Sequence, residues 1–271
     1  MTASDLKAEA RKNADRFIGF AEIYDEARPA LPLYPVEIIK RYLGRPVETV
    51  IDLGCGTGLS TLIWKGHCQR AVGVEPSADM LALARRKEGD GLSFVQGSGL
   101  ATGLEDHCAD VVVCSQSFHW MEPEATLREV NRLLRSGGIF AAVDCDWPPI
   151  SRWKADLAFD TFLAEVRKIE EENPEIKNTF ARYPKDRHLA NIRRSGYFRY
   201  AREILFANRE ECEAERYIRL ALSLGGLRTI LKKCPELISD DLQVFREAVS
   251  EAFAGHVYEM DFSYRLRLGV K

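Results

Sequence analysis

The sequence predicts an α/β fold built on an open, doubly wound, mostly parallel sheet of seven strands. Short apolar runs and amphipathic stretches alternate from residue 47 to 146, the rhythm of βαβ units. The first run, VIDLGCGTG at 50–58, breaks into a glycine-rich turn of the kind that opens the first crossover of such sheets. Two later strand patterns, FRYAREILFA and VYEMDFSYRLRLGV, are separated from the rest and from each other by long helical stretches.

Taken in order, residues 1–45 read as a helical lid segment with a proline-rich interruption, ARPALPLYP, lying across the sheet's edge or mouth. Residues 46–146 read as the α/β core. Its strands are TVIDLG, RAVGVE, LSFVQG, ADVVVCS and GGIFAAVD, and its helices are STLIWKG, SADMLALARRK and PEATLREVNRLLR. The last helix carries Leu127, Val130, Leu133 and Leu134 at helical spacing, with SGG as its stop. Residues 147–271 carry the late strands of the same sheet and a helical cap. KADLAFDTFLAEVRKIEEEN and RHLANIRRSG precede the sixth strand, and REECEAERYIRLALS, GLRTILKKC and DDLQVFREAVSEAFAG precede the seventh. Trp147, Trp153 and Phe162 read as core residues of the cap before pocket walls.

With 271 residues and 46% apolar composition the chain can bury a sizeable core. A net charge of -3 supplies no field for gathering nucleic acid or an anionic membrane surface. Seven cysteines, an odd number without a CxxC pair, read as reduced thiols of a cytoplasmic protein. The opening MTASDLKAEARKNADRF has no signal-peptide pattern, and no run reaches the roughly 18 apolar residues of a membrane span. No metal site is expected.

The glycines at 54, 56 and 58 are spaced GxGxG, without the GxGxxG gap of a dinucleotide fingerprint, and no GxxxxGK[ST] phosphate cradle occurs. Asp52, at the strand end just before the turn, opposes a pyrophosphate and suits a cationic ligand. Glu75 ends the second strand 23 residues later, where a carboxylate accepts from both hydroxyls of a ribose. The pair favours a cationic nucleoside and points to S-adenosylmethionine.

VIDLGCGTG, VGVEPS and LLRSGGIF resemble the class I S-adenosylmethionine-dependent methyltransferases over about residues 20 to 145. The resemblance implies their Rossmann-like sheet with an antiparallel last strand, and S-adenosyl-L-methionine as cofactor, leaving as S-adenosyl-L-homocysteine. It places Asp52, Gly54, Cys55 and Gly56 at the methionine end and Glu75, followed by Pro76, at the ribose. Where that family commonly has an acid for adenine this sequence has Ser98, so Ser98 or a backbone group takes that contact.

The loop after the fourth strand, CSQSFHWMEP, lacks the NPPY type of base methylases and a proline-cysteine nucleophile. SFHWM and IYDEARPALPLYP resemble the small-molecule branch that includes the trans-aconitate methyltransferases. That resemblance implies that Tyr24 and Arg28 reach the cofactor carboxylate and that His119 and Trp120 line the site. His119 has two readings, a base titrating near neutrality or a residue that orients the loop. Gln116 either bonds the ligand or closes the loop, and Trp120 either packs or flanks adenine.

The stretch 182–202, RYPKDRHLANIRRSGYFRYAR, holds seven Lys or Arg among three tyrosines. It reads as a solvated face neutralised by the preceding EEENPE, with an RNA-contacting patch or part of a pocket for an anionic substrate as alternatives. The expected activity is methyl transfer to a small-molecule acceptor at oxygen, a carboxylate being one such oxygen. An RNA methyltransferase working through 182–202 and a non-catalytic cofactor-binding protein are the alternatives.

Overall fold

The computed structural model describes residues 3–15, 28–29, 31–177 and 179–271. Among the described residues, helices α1 (Ala3–Asp15) and α2 (Tyr34–Leu43) precede β1 (Thr49–Leu53), every residue of which is buried. Then follow α3 (Leu59–Leu62), β2 (Arg70–Glu75), α4 (Ala78–Arg85), β3 (Leu92–Gln96) and β4 (Ala109–Ser115). α5 (Pro123–Leu133) leads into β5 (Leu134–Cys145). The strands form one seven-stranded sheet in the order β3-β2-β1-β4-β5-β7-β6, where β6 is Tyr200–Cys212 and β7 is Tyr258–Val270.

β1 pairs parallel with β2 on one side and β4 on the other. Strand order reverses between β1 and β4, and the crevice beyond their carboxyl ends is where such sheets bind ligands. β7 runs antiparallel to both β5 and β6, as expected for the last strand. Alternation along β5 divides the core. Ile139, Ala141, Val143 and Cys145 face α2 and the cap, while Phe140 and Ala142 face α5.

The cap comprises α6 (Trp153–Glu172), α7 (Pro174–Lys177) and α8 (His188–Arg194) between β5 and β6, then α9 (Ala214–Leu222), α10 (Gly225–Lys233) and α11 (Ser239–Phe253) before β7. Aromatic rings join α6 to α11. Phe162 stacks on Phe245 at 4.8 Å, and Phe159 meets Phe245 edge-on at 5.7 Å.

Three local expectations are corrected. SGG is no helix stop: α5 runs straight into β5, which contains it, and the pairing of β4 with β5 shifts register there. Residues 209–212 continue β6 rather than opening a helix, held by antiparallel pairing to β7. Trp153 is 73% exposed at the first position of α6 and belongs to neither core nor pocket. Among the described residues no helix is long and apolar enough to cross a membrane.

Candidate active site

The turn after β1 is held against β2 by backbone bonds. Gly54 N and Cys55 N both donate to Val74 O, at 2.8 and 3.2 Å. Gly54 has φ +67°, and a Cβ there would lie 2.8 Å from the side chains of Ser117 and Met121, so no other residue fits. Gly56 N donates to Glu75 Oε2 at 2.9 Å and Ser77 N to Glu75 Oε1 at 2.8 Å. Burial pushes the Glu75 acid up to about 7, against the pull of these two N–H donors. Each of its oxygens keeps a second lone pair for a ligand.

Asp52 is placed differently from expectation. Its carboxylate is fully buried and off the cavity wall, where Oδ2 accepts from Ser60 Oγ at 2.6 Å and Thr61 Oγ1 at 2.8 Å. Both hydroxyls belong to α3, so Asp52 ties the turn to the helix it starts, and burial raises its pKa to about 6. Its other oxygen, Oδ1, is buried without a hydrogen-bond partner among the described residues.

The remaining expected residues meet around one cavity of about 460 Å³. Gly54, Cys55, Gly56, Glu75, Pro76, Ser98, Gln116, His119, Trp120 and Arg28 all line it. Tyr24 lies outside the described residues. Arg28 donates to Ser223 O at 3.2 Å and sits 5.2 Å over the Trp147 ring, which joins the lid segment to the cap. Gln116 adopts φ +55°, its N–H donates to Val143 O, and its Oε1 accepts from Lys185 Nζ at 3.1 Å.

α1 closes one side of the cavity through a polar clasp. The buried Asn13 amide donates to Trp120 O (2.8 Å) and Ala181 O (3.0 Å) and accepts from Ala181 N (2.9 Å). Tyr183 Oη donates to Glu9 Oε1 at 2.6 Å, and Tyr183 N to His119 O at 2.8 Å. Arg182 pairs with Glu170 at 3.0 Å and lies 5.2 Å over the Trp120 ring. The basic stretch therefore turns Arg182 and Lys185 toward the cavity, and Glu170 of EEENPE does neutralise one of them.

His119 is buried beside a charged cluster that sequence reading missed. Its Nδ1 lies 3.6 Å from Asp144 Oδ1, and His188 Nε2 lies 3.6 Å from Asp144 Oδ2. Arg267 donates to Asp144 Oδ2 at 2.7 Å, and Lys185 Nζ lies 3.2 Å from Oδ1. Burial first, then the Lys185 charge, lowers His119 to about 3, although Asp144 pulls the other way. Titration near neutrality is thus replaced by an imidazole that stays neutral throughout the physiological range. The ligand atoms of His119, Asp144 and His188 lie within 4.8 Å of one another, a spacing that suits a metal ion. Two cations already occupy the carboxylate, and their field opposes a third.

A family model described as "Methyltransferase domain" matches residues 51–142, from β1 to β5. A Saccharomyces cerevisiae protein named a probable S-adenosylmethionine-dependent methyltransferase is 27% identical over 124 residues, 44% of this chain and 43% of that protein. An uncharacterized methyltransferase of Mycobacterium tuberculosis is 33% identical over 115 residues, 42% of this chain and 46% of that one. The matched stretch thus spans less than half the length of these relatives. The demethylmenaquinone methyltransferase of Beutenbergia cavernae is 30% identical over 183 residues, 65% of this chain and 76% of the relative. A solved protein of Anaeromyxobacter dehalogenans shares the fold at 17% identity and TM-score 0.68, covering 90% of this chain and 97% of its own. The glycine turn, the acid ending β2, the strand order and these relatives agree: the chain belongs to the class I S-adenosylmethionine-dependent methyltransferases.

Proposed function

We propose that this methyltransferase acts on a small organic acid and methylates a carboxylate oxygen, the acceptor type suggested by its resemblance to the trans-aconitate methyltransferases. The carrying observation is the setting of His119, buried 3.6 Å from an Asp144 carboxylate that Lys185 and Arg267 already occupy, which disfavours an imidazolium there. An imidazole lowered to about 3 is a poor acceptor for an alcohol or ammonium proton, whereas a carboxylate reaches the site already ionised and needs no base. His119 is then a positioning residue of the acceptor wall.

When bound, S-adenosylmethionine would supply an electrophilic methyl group on its sulfonium, with S-adenosylhomocysteine as the product. The chain's part is binding and alignment. Glu75 accepts from the ribose hydroxyls, and Gly54 and Gly56 let the backbone approach the methionine end. Arg28, with Tyr24, takes the cofactor carboxylate, while Pro76, Ser98 and Gln116 border the nucleoside. The clasp of Asn13 and Tyr183 closes the cavity and keeps water from the reacting atoms. A cavity of about 460 Å³ falls within the small-molecule range of about 300–1,000 Å³. The pairing of Arg182 with Glu170 leaves the 182–202 stretch less charge for RNA.

The test is transfer from methyl-labelled S-adenosylmethionine to a panel of aliphatic and aromatic acids, followed by mild alkali. A methyl ester releases its label as volatile methanol. Alkali-stable label in the product contradicts the oxygen assignment, and label in RNA but in no acid contradicts the acceptor class.

A further inference from the structure

We infer that the outer edge of β6 is a dimer interface, on which a second copy of this chain pairs antiparallel about a two-fold axis at Phe206. β6 ends the sheet, and among the described residues no strand covers its far side. It runs for 13 residues in unbroken register with β7, without the proline or bulge that often blunts such an edge. The β7 ladder fixes which of its backbone groups face out. Asp146 N donates to Ser263 O and Lys271 N to Gly138 O, so odd-numbered residues of β7 bond toward β5 and even-numbered ones toward β6. Even-numbered residues of β6 pair with these, which turns the N–H and C=O groups of its odd-numbered residues outward.

Two arginines mark the limits of the open edge. Arg193 donates to Ala201 O at 3.2 Å and Arg216 to Glu211 O at 2.7 Å. The window between them, in which Glu203, Leu205, Ala207 and Arg209 face out, is centred on Phe206. The charges share that centre. An axis at Phe206 sets Arg202 opposite Glu210 of the second copy, and Glu203 opposite its Arg209. An axis at Ala207 instead sets Glu203 against Glu211, and one at Leu205 leaves all four charges opposite uncharged residues of β6. Glu203 and Arg209 also hold Arg267 and Asp261 in their own chain, so the contacts across the axis select register more than they add strength. Apolar surface supplies the strength. Leu205, 64% exposed, falls opposite Ala207, and Phe206 meets its own copy, backed by Tyr264 stacked on it at 5.0 Å and by the exposed Tyr34 at 5.2 Å.

The experiment is sedimentation equilibrium on the full chain from about 1 to 100 µM, where weak homodimers dissociate. Wild type should reach the mass of two chains. Arg202→Glu sets a like charge against Glu210, Glu210→Arg sets one against Arg202, and each alone should weaken the dimer at least about tenfold. Mixing the two variants joins unlike charges at both places and should restore a heterodimer, which a folding defect in either variant cannot produce. Leu205→Lys, at an exposed site, brings two ammonium groups near the axis and should also give monomers, with S-adenosylhomocysteine affinity unchanged. Wild type that stays monomeric at every concentration overturns the inference, even where a strand of some other protein binds the edge. A dimer that these variants leave intact forms elsewhere and overturns it too. A mixture that stays monomeric removes the Phe206 register and with it the inference.

Discussion

Glu75→Gln tests the cofactor assignment through both affinity and pH. The amide keeps the shape and one acceptor oxygen but loses the charge that strengthens bonds to the ribose hydroxyls. Charge-assisted bonds contribute about 1.5–3 kcal/mol each. With one bond lost and the other weakened, S-adenosylhomocysteine binding should fall by about 2–4 kcal/mol, roughly 30- to 700-fold. In the free protein burial holds the Glu75 proton up to about pH 7. Binding needs the ionised form, so wild-type affinity should rise roughly tenfold per pH unit between 5 and 7 and level off above about 8. At pH 5 it should be about 100-fold below the plateau. Linkage has the opposite sign for the free fold, because the folded acid keeps its proton to about 7 and the unfolded one releases it near 4.5. Stability from this group is therefore lost as pH rises through that window. Calorimetry at pH 5, 6, 7 and 8 on both proteins reads the binding slope. Equal slopes in wild type and variant, or affinities within about threefold at pH 8, would refute the assignment.

Other substitutions probe the turn, the clasp and the imidazole. Gly54→Ala forces φ +67° on an L-residue and drives its Cβ into Ser117 and Met121. It should cost at least about 1–2 kcal/mol in a urea melt and abolish measurable S-adenosylhomocysteine binding; retained affinity would contradict it. Asn13→Ala removes three hydrogen bonds, so amide exchange in residues 3–15 should quicken by about 10- to 100-fold while β1 keeps its protection. Unchanged exchange would show that the clasp does not hold α1. At saturating S-adenosylmethionine, His119→Asn should leave turnover on an acid within about tenfold of wild type, with no step near pH 6.5 in either rate profile. A loss of about 10²-fold or more, with such a step in the wild type alone, would restore the base.

The α/β core was legible because its signals are local. Apolar runs such as VVVC can only be buried strands between helices, and β2 and β4 begin and end where the sequence reading put them. SGG and REEC were misread because long-range antiparallel pairing overrides a local glycine or a run of helix-favouring acids. Asp52 and Glu75 show the limit at the site. Both end strands and both are buried, yet one reaches the cavity and the other turns beneath it to Ser60 and Thr61, which depends on packing. Lys185 was visible as part of a basic stretch read first as a solvated face, with a pocket for an anionic substrate only as an alternative. Asp144, His188 and Arg267 come together from β5, α8 and β7, and no spacing encodes that meeting. Tyr264 looks like any aromatic residue of an alternating strand until its unpaired hydroxyl is seen.

The most direct test of the central claim is a crystal structure with S-adenosylhomocysteine bound. The account predicts both ribose hydroxyls on the Glu75 carboxylate, the methionine end against Gly54 and Gly56, and the sulfur opening toward the wall formed by His119 and Trp120. A nucleoside bound away from Glu75, or a sulfur facing away from His119 and Trp120, would contradict it.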